Sequence, residues 1–204
     1  MKIAYFDLET LHLFDEFTGG QKDKRNYSKL GISVAGILDD KEYKVYGYAW
    51  VDQLIEDLKA YDIIVGHNLF NFDYKVLGSY FEYPEAILGT RQAGIVSKTF
   101  DTMQEFSHIV NEASGEDVGW VGLDDIAQRN FSMGKTHDGK LIPQMWREGQ
   151  HNIVKEYLLN DLEMTKRFYL AGCAGTTIKY NHTLYNKRTN KRESLGEKEI
   201  FIKW

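Results

Sequence analysis

The sequence predicts an α/β domain: a mixed sheet of three antiparallel strands leading into parallel ones, flanked by helices and followed by a C-terminal β-hairpin. Three observations predict it. Short strand-like runs open the chain, helical-period segments then alternate with short β-branched runs, and two alternating stretches end it.

Residues 2–7 read as the first strand, and residues 30–38 and 42–48 as two more around the turn-forming Asp39-Asp40-Lys41. Residues 51–60 carry Val51, Leu54, Ile55 and Leu58 on one helical face, and the β-branched Ile63-Ile64-Val65 follows as a buried strand ending at Gly66. A helix over residues 70–80 comes next. Phe100-Asp101 closes another strand before a helix beginning near Thr102. Residues 122–131 and 150–171 predict two further helices, joined by a loop-rich connection over 132–149. Residues 177–185 and 199–204 alternate as strands, separated by the polar stretch 186–198.

A chain of 204 residues suits one domain, here expected to span 1–204 with a core over 1–172 and a basic hairpin over 173–204. No apolar run approaches the roughly 20 residues that cross a bilayer, so no membrane partner is expected. The single cysteine, Cys173, excludes an intramolecular disulfide and a Cys-rich zinc site; a reducing, cytoplasmic setting and a monomer are the expectations. The formal charge of −5 is unusual for a partner of nucleic acid, but its distribution is uneven. Lys179, Lys187, Arg188, Lys191, Arg192, Lys198 and Lys203 face only Glu193, Glu197 and Glu199 in the tail, which reads either as a phosphate-contacting edge or as a solvated charged hairpin.

Three groups of residues carry chemistry. Asp7 and Glu9 alternate along the first strand, so both side chains fall on one face, where like charges favour a compensating cation. Gly66 to Asp73 lies where a strand hands over to a helix, the end of an open α/β sheet at which ligands gather. Tyr157 and Asp161 stand one helical turn apart and address the same side. Each has an ordinary alternative when taken alone: a solvated strand end, an N-cap at Asn68, and an exposed acid on an amphipathic helix.

Taken together, Phe6-Asp7-Leu8-Glu9-Thr10, then Asn68 through Phe72-Asp73, then Tyr157-x-x-x-Asp161 resemble in order and spacing the three motifs of the DEDD exonuclease superfamily. Glu156 stands where the histidine branch would place its histidine, so the resemblance is to the tyrosine branch. The chain is further similar to stand-alone and helicase-associated ribonuclease-H-like exonuclease domains, through Gly134-Lys135, Trp146-Arg147-Glu148-Gly149 and the basic terminal hairpin. This resemblance implies a ribonuclease-H-like fold and 3′–5′ hydrolysis of phosphodiester bonds at nucleic-acid ends. It implies that Asp7, Glu9, Asp73 and Asp161 hold two divalent ions, Mg²⁺ or Mn²⁺, and that Tyr157 orients the attacking water.

Thr10, Leu11, Asn68 and Lys135 are the candidate substrate contacts, toward single-stranded nucleic acid or a duplex 3′ end, with a helicase or polymerase as a further partner. His137 and Lys140 share the connection with Lys135 and suit either phosphate or solvent. Phe14, Phe17, Trp120 and Trp146 could stack bases or belong to the core. Two rival functions use the same residues differently: a catalytically silent nucleic-acid-binding module, and an endonuclease on the same fold.

Overall fold

The computed structural model describes residues 1–19, 25–115, 118, 120–186 and 191–204. Five strands of the described residues form its central sheet. Strands β1 (Ile3–Thr10), β2 (Ile32–Leu38) and β3 (Tyr43–Tyr46) pair antiparallel in succession. Strands β4 (Ile63–Gly66) and β6 (Thr99–Asp101) then add in parallel to the other edge of β1. The two-residue β5 (Gly89–Thr90) lies outside this sheet.

Alternation along β1 divides its residues between the two faces of the sheet. Ala4, Phe6 and Leu8 enter a core with Leu54, Ile55 and Leu58 of helix α2 (Val51–Lys59) and Val76 and Leu77 of α3 (Asp73–Gly78). Tyr5, Val34 of β2 and Val65 of β4 instead meet Val154, Tyr157, Leu158 and Leu162 of α9 (His151–Ala174), a 24-residue helix laid across the opposite face. Asp7 and Glu9 share Tyr5's parity, so β1 turns both acids toward α9. The helix approaches closely at Gly36, which pairs with Asp7 across the β1–β2 ladder. A Cβ there would lie 2.9 Å from Leu162 and 3.1 Å from Leu158.

A third core joins α6 (Thr102–Ser114), α7 (Leu123–Phe131) and α9 to the terminal hairpin, β7 (Thr176–Asn186) and β8 (Lys191–Ile202). Phe106, Ile126, Phe168, Ile178, Tyr180 and Ile202 pack in it. The hairpin is therefore part of the hydrophobic framework. Among its described charges, Lys179 pairs with Glu199 at 3.5 Å, and Glu197 receives Arg129 of α7 at 2.5 Å. Lys187 and Arg188 lie outside the described residues. Among the described residues no helix is long and apolar enough to cross a membrane.

Several boundaries differ from expectation for identifiable reasons. Strand β1 runs on to Thr10, so Asp7 lies inside the ladder. β8 begins at Lys191 because a two-stranded ribbon tolerates the charged stretch 191–198, which continues the pairing through Tyr180↔Lys198 and Leu184↔Glu193. The helix expected over 70–80 begins only at Asp73, because residues 68–72 form a turn with Asn68 at φ 77°, outside the helical region. The connection over 132–149 contains a further helix, α8 (Ile142–Arg147). Short helices α1 (Asp15–Thr18), α4 (Pro84–Leu88) and α5 (Gly94–Ser97) complete the chain, too brief for periodicity to reveal.

Candidate active site

Four acids from three separate elements line one pocket of about 240 Å³ together with Tyr157. Asp7 and Glu9 come from β1, Asp161 from α9, and ligand oxygens of these three lie within 4.8 Å of one another. Asp73, the first residue of α3, is 2% exposed and accepts the backbone N–H of Leu8 at 3.2 Å. Asp7 is close enough to raise the Asp73 carboxyl further, after burial, which is the larger cause.

Burial and mutual repulsion govern the electrostatics. Burial first, and then the charge of Asp161, raise the Asp7 carboxyl to about 7. Glu9 and Asp73 are held well above the usual carboxylate range by burial and by Asp7, and burial also raises Asp161. Burial and Asp161 push the Tyr157 phenol up, so this hydroxyl stays protonated at neutral pH.

One cation already enters the cluster. The Nζ of Lys135 lies 2.6 Å from the Tyr157 hydroxyl and 3.0 Å from Asp161 Oδ2. Burial alone would lower this amine's pKa, but Asp161 and Tyr157 hold it above its ordinary value, so it is an ammonium. Its position is set from outside the pocket: the Lys135 N–H donates to Asp124 of α7 at 2.6 Å, and Asn160 of α9 donates to the Gly134 carbonyl at 3.0 Å.

The donor set fits divalent cations. It consists of carboxylate oxygens, the ligands that Mg²⁺ and Mn²⁺ prefer. Asp161 Oδ1 is buried with no hydrogen-bond partner, the condition of an atom arranged for a ligand that is not protein.

The remaining sequence candidates divide. Asn68 and Thr10 line the pocket with the acids. Asn68 does not cap α3: the residue before that helix is Phe72, which offers no side-chain cap, and Asn68 Oδ1 is buried without a partner. The Thr10 hydroxyl donates to the His12 carbonyl at 2.8 Å. Leu11 lies apart from the pocket, packed over Gly31, and its carbonyl accepts from Arg147; Leu13 takes a place in the wall. His137 and Lys140 are exposed. Phe14 packs edge-on against Tyr27 and Phe72, and Trp146 lies over His151 at 4.3 Å.

Sequence reasoning missed Asp101, the anchor of the Asn68 turn. Its carboxylate, 1% exposed, accepts the N–H groups of Asn68 at 2.9 Å and Phe70 at 3.1 Å, as well as those of Met103 and Gln104 at the start of α6. An Asp directly before a helix was the available signal. Gly139 was missed too: a Cβ there would lie 3.3 Å from the Tyr157 hydroxyl, so the wall at this point admits no side chain without crowding the phenol.

Neither a protein-family model nor a curated protein matches the sequence. Among solved structures, the family B DNA polymerase from the hyperthermophilic archaeon Pyrobaculum calidifontis superposes with a TM-score of 0.57 at 17% identity. The match covers 84% of this chain and 24% of the polymerase, so the chain spans about a quarter of that protein's length. A likeness at this level shows the fold, and the fold is ribonuclease-H-like: antiparallel strands leading into parallel ones, with helices on the sheet and a C-terminal hairpin.

Proposed function

We propose that this chain is a metal-dependent 3′–5′ exonuclease of the DEDD tyrosine branch, a hydrolase of phosphodiester bonds at the ends of nucleic acid. The observation that carries this reading is the meeting of Asp7, Glu9, Asp73, Asp161 and Tyr157 in one pocket, with a buried oxygen of Asp161 left without a partner. Likeness of the fold to part of a DNA polymerase supports a nucleic-acid substrate. In this reading residues 1–172 form the catalytic core and 173–204 an accessory hairpin that also packs on it.

The four carboxylates would hold two divalent ions, which supply acidification of a water and neutralisation of charge on the phosphate. Everything else is done by the chain. Tyr157 keeps its proton and can orient a water lying between its hydroxyl and the carboxylates, a positioning role suited to a phenol whose pKa is raised. Lys135 adds a fixed positive charge beside that water, where negative charge grows as the phosphodiester is attacked. Asn68 offers its unpaired carbonyl to a donor of the incoming nucleotide.

The test is a product ladder from 5′-labelled single-stranded DNA and RNA, with Mg²⁺, with Mn²⁺ and with chelator. Stepwise shortening from the 3′ end in the presence of metal, absent in Asp161→Asn, is the expected result. Internal cuts would instead identify an endonuclease. Binding of the strands without any product under either metal would identify a silent nucleic-acid-binding module, one that could serve a helicase or polymerase.

A further inference from the structure

A second cavity, of about 280 Å³, opens beside the first. Asn71, Met103, Gln104, Ser107, His108 and Trp120 line it, between the outer side of α6 and the segment preceding α7. The turn between β4 and α3 divides the two cavities: Asn68, Phe72 and Asp73 face the acids, while Asn71 faces this second space. A chain lying over that turn would meet both.

The lining has the chemistry of a base site and lacks that of a phosphate site. Among the described residues, no lysine, arginine or carboxylate contributes to it. The Trp120 indole, 43% exposed, and the Met103 thioether supply flat, polarisable surface. The amides of Asn71 and Gln104 present both donors and acceptors, as the edge of a nucleobase requires. The Ser107 Oγ is buried here without a hydrogen-bond partner. The cavity lies just below the roughly 300–1,000 Å³ that small-ligand sites occupy, which leaves room for a single base and excludes a duplex. A cation stands at its edge: Arg91 lies 3.6 Å above the Phe70 ring and donates to Gln104 Oε1 at 3.1 Å, close enough to the rim to meet a backbone phosphate.

We propose that this cavity takes a nucleobase of the same strand whose end is presented to the acids, upstream of the terminal nucleotide. The inference rests on reading the acid pocket as a nuclease centre, and it makes the substrate a single strand that turns one upstream base into the protein. Recognition is by stacking and by amides that suit more than one base, so the site measures the presence of an unpaired base more than its identity.

The experiment uses a series of oligothymidylates, each with one abasic residue at successive positions counted back from the 3′ end. Binding to the full chain is read by fluorescence anisotropy in chelator, where no cleavage competes. One upstream position is expected to weaken binding about tenfold when its base is removed. Trp120→Ala should abolish that position-specific loss, and Trp120→Phe should retain it. A flat profile, or the same profile in Trp120→Ala, overturns the proposal. Hydrolysis of thymidine 5′-p-nitrophenyl phosphate by the wild-type protein with metal, a substrate too short to reach the second cavity, tests the nuclease reading separately. Hydrolysis with a flat abasic profile removes the base site alone; a position-specific loss without hydrolysis keeps the base site and removes the nuclease.

Discussion

The ammonium of Lys135 donates to the Tyr157 hydroxyl oxygen at 2.6 Å, and so leaves the phenolic hydrogen free to point elsewhere. That single contact fixes the direction of the hydrogen bond. Tyr157 receives from one side and can give from the other, toward a water or toward Asp161 one turn along α9.

Lys135→Met tests this arrangement. The thioether keeps most of the side chain's length and removes the charge, so Tyr157 loses its donor and Asp161 its ion-pair partner. Turnover of a labelled strand should fall about tenfold to a hundredfold. Because the Lys135 side chain is about a third exposed, the ion pair is screened by solvent, and the stability lost should stay within about 1 kcal/mol by denaturant titration. A large loss of stability with unchanged turnover would show that the lysine only holds the connection in place.

Gly36→Ala acts on the site from a distance. Its Cβ would meet Leu162, Tyr43 and Leu158 at 2.9, 3.0 and 3.1 Å together, in a packed layer where no one of them can yield alone. If these side-chain ends do not swing aside, the helix lifts from β2, which moves Asp161 away from Asp7. A destabilisation of about 1–3 kcal/mol is expected, with weaker stabilisation by Mn²⁺ in thermal melting than the wild type shows. An alanine variant as stable and as metal-responsive as the wild type would mean that α9 is not held at this spacing by the missing side chain.

The sequence disclosed those features that periodicity encodes locally. Alternation put Asp7 and Glu9 on one face, and the helical repeat put Tyr157 and Asp161 on one side; both relations need only the neighbouring residues. The mixed character of the sheet followed from the change between antiparallel runs and β-α alternation. Lys135 is legible only as a candidate substrate contact; its meeting with Tyr157 and Asp161 lay beyond such reasoning, because its place depends on Asp124 and Asn160, which hold its backbone from two other helices. The late start of α3 was hidden for the same kind of reason. A turn with Asn68 at positive φ is stabilised by Asp101, which reaches it from the neighbouring strand across 33 positions of sequence.

His67 gives the pH dependence a definite sign. The Thr102 hydroxyl donates to the Gly66 carbonyl at 3.0 Å, so the imidazole must donate from Nδ1 to Thr102 at 2.9 Å, and Nε2 remains buried with no partner. Protonating the ring would place a charge in the interior; burial, the largest cause, together with the nearby Lys135 ammonium outweighs the support of the Val121 backbone and lowers the ring's pKa to about 4. The unfolded value is about 6.5, so the neutral ring's contribution is fully present above that pH and is lost as pH falls toward 4. Comparing wild type with His67→Gln in chelator, the wild type should lose about 2 kcal/mol more between pH 7.5 and pH 5. Equal losses, or a ring resonance that titrates near 6.5 by NMR, would refute the buried neutral tautomer.

Asp101→Asn separates positioning from chemistry. The residue lies outside the acid pocket, yet both of its oxygens are committed: Oδ1 to Asn68, Met103 and Gln104, and Oδ2 to Phe70. An amide of nearly the same shape supplies only one accepting oxygen and turns an N–H₂ toward one of these backbone donors. The helix end can keep the oxygen, and the turn then loses its anchor at Phe70, or the reverse; either choice costs about 1–3 kcal/mol. If the turn is what yields, Asn68 and Asp73 shift while Asp7, Glu9 and Asp161 stay where β1 and α9 hold them. The variant should then keep a cooperative melt and a thermal response to Mn²⁺, but lose turnover by about tenfold or more, with Asp101→Glu failing to rescue because its longer arm cannot reach the same four groups. Full activity in Asp101→Asn would mean that the turn keeps its shape without this carboxylate, and that Asn68 is held by its own backbone alone.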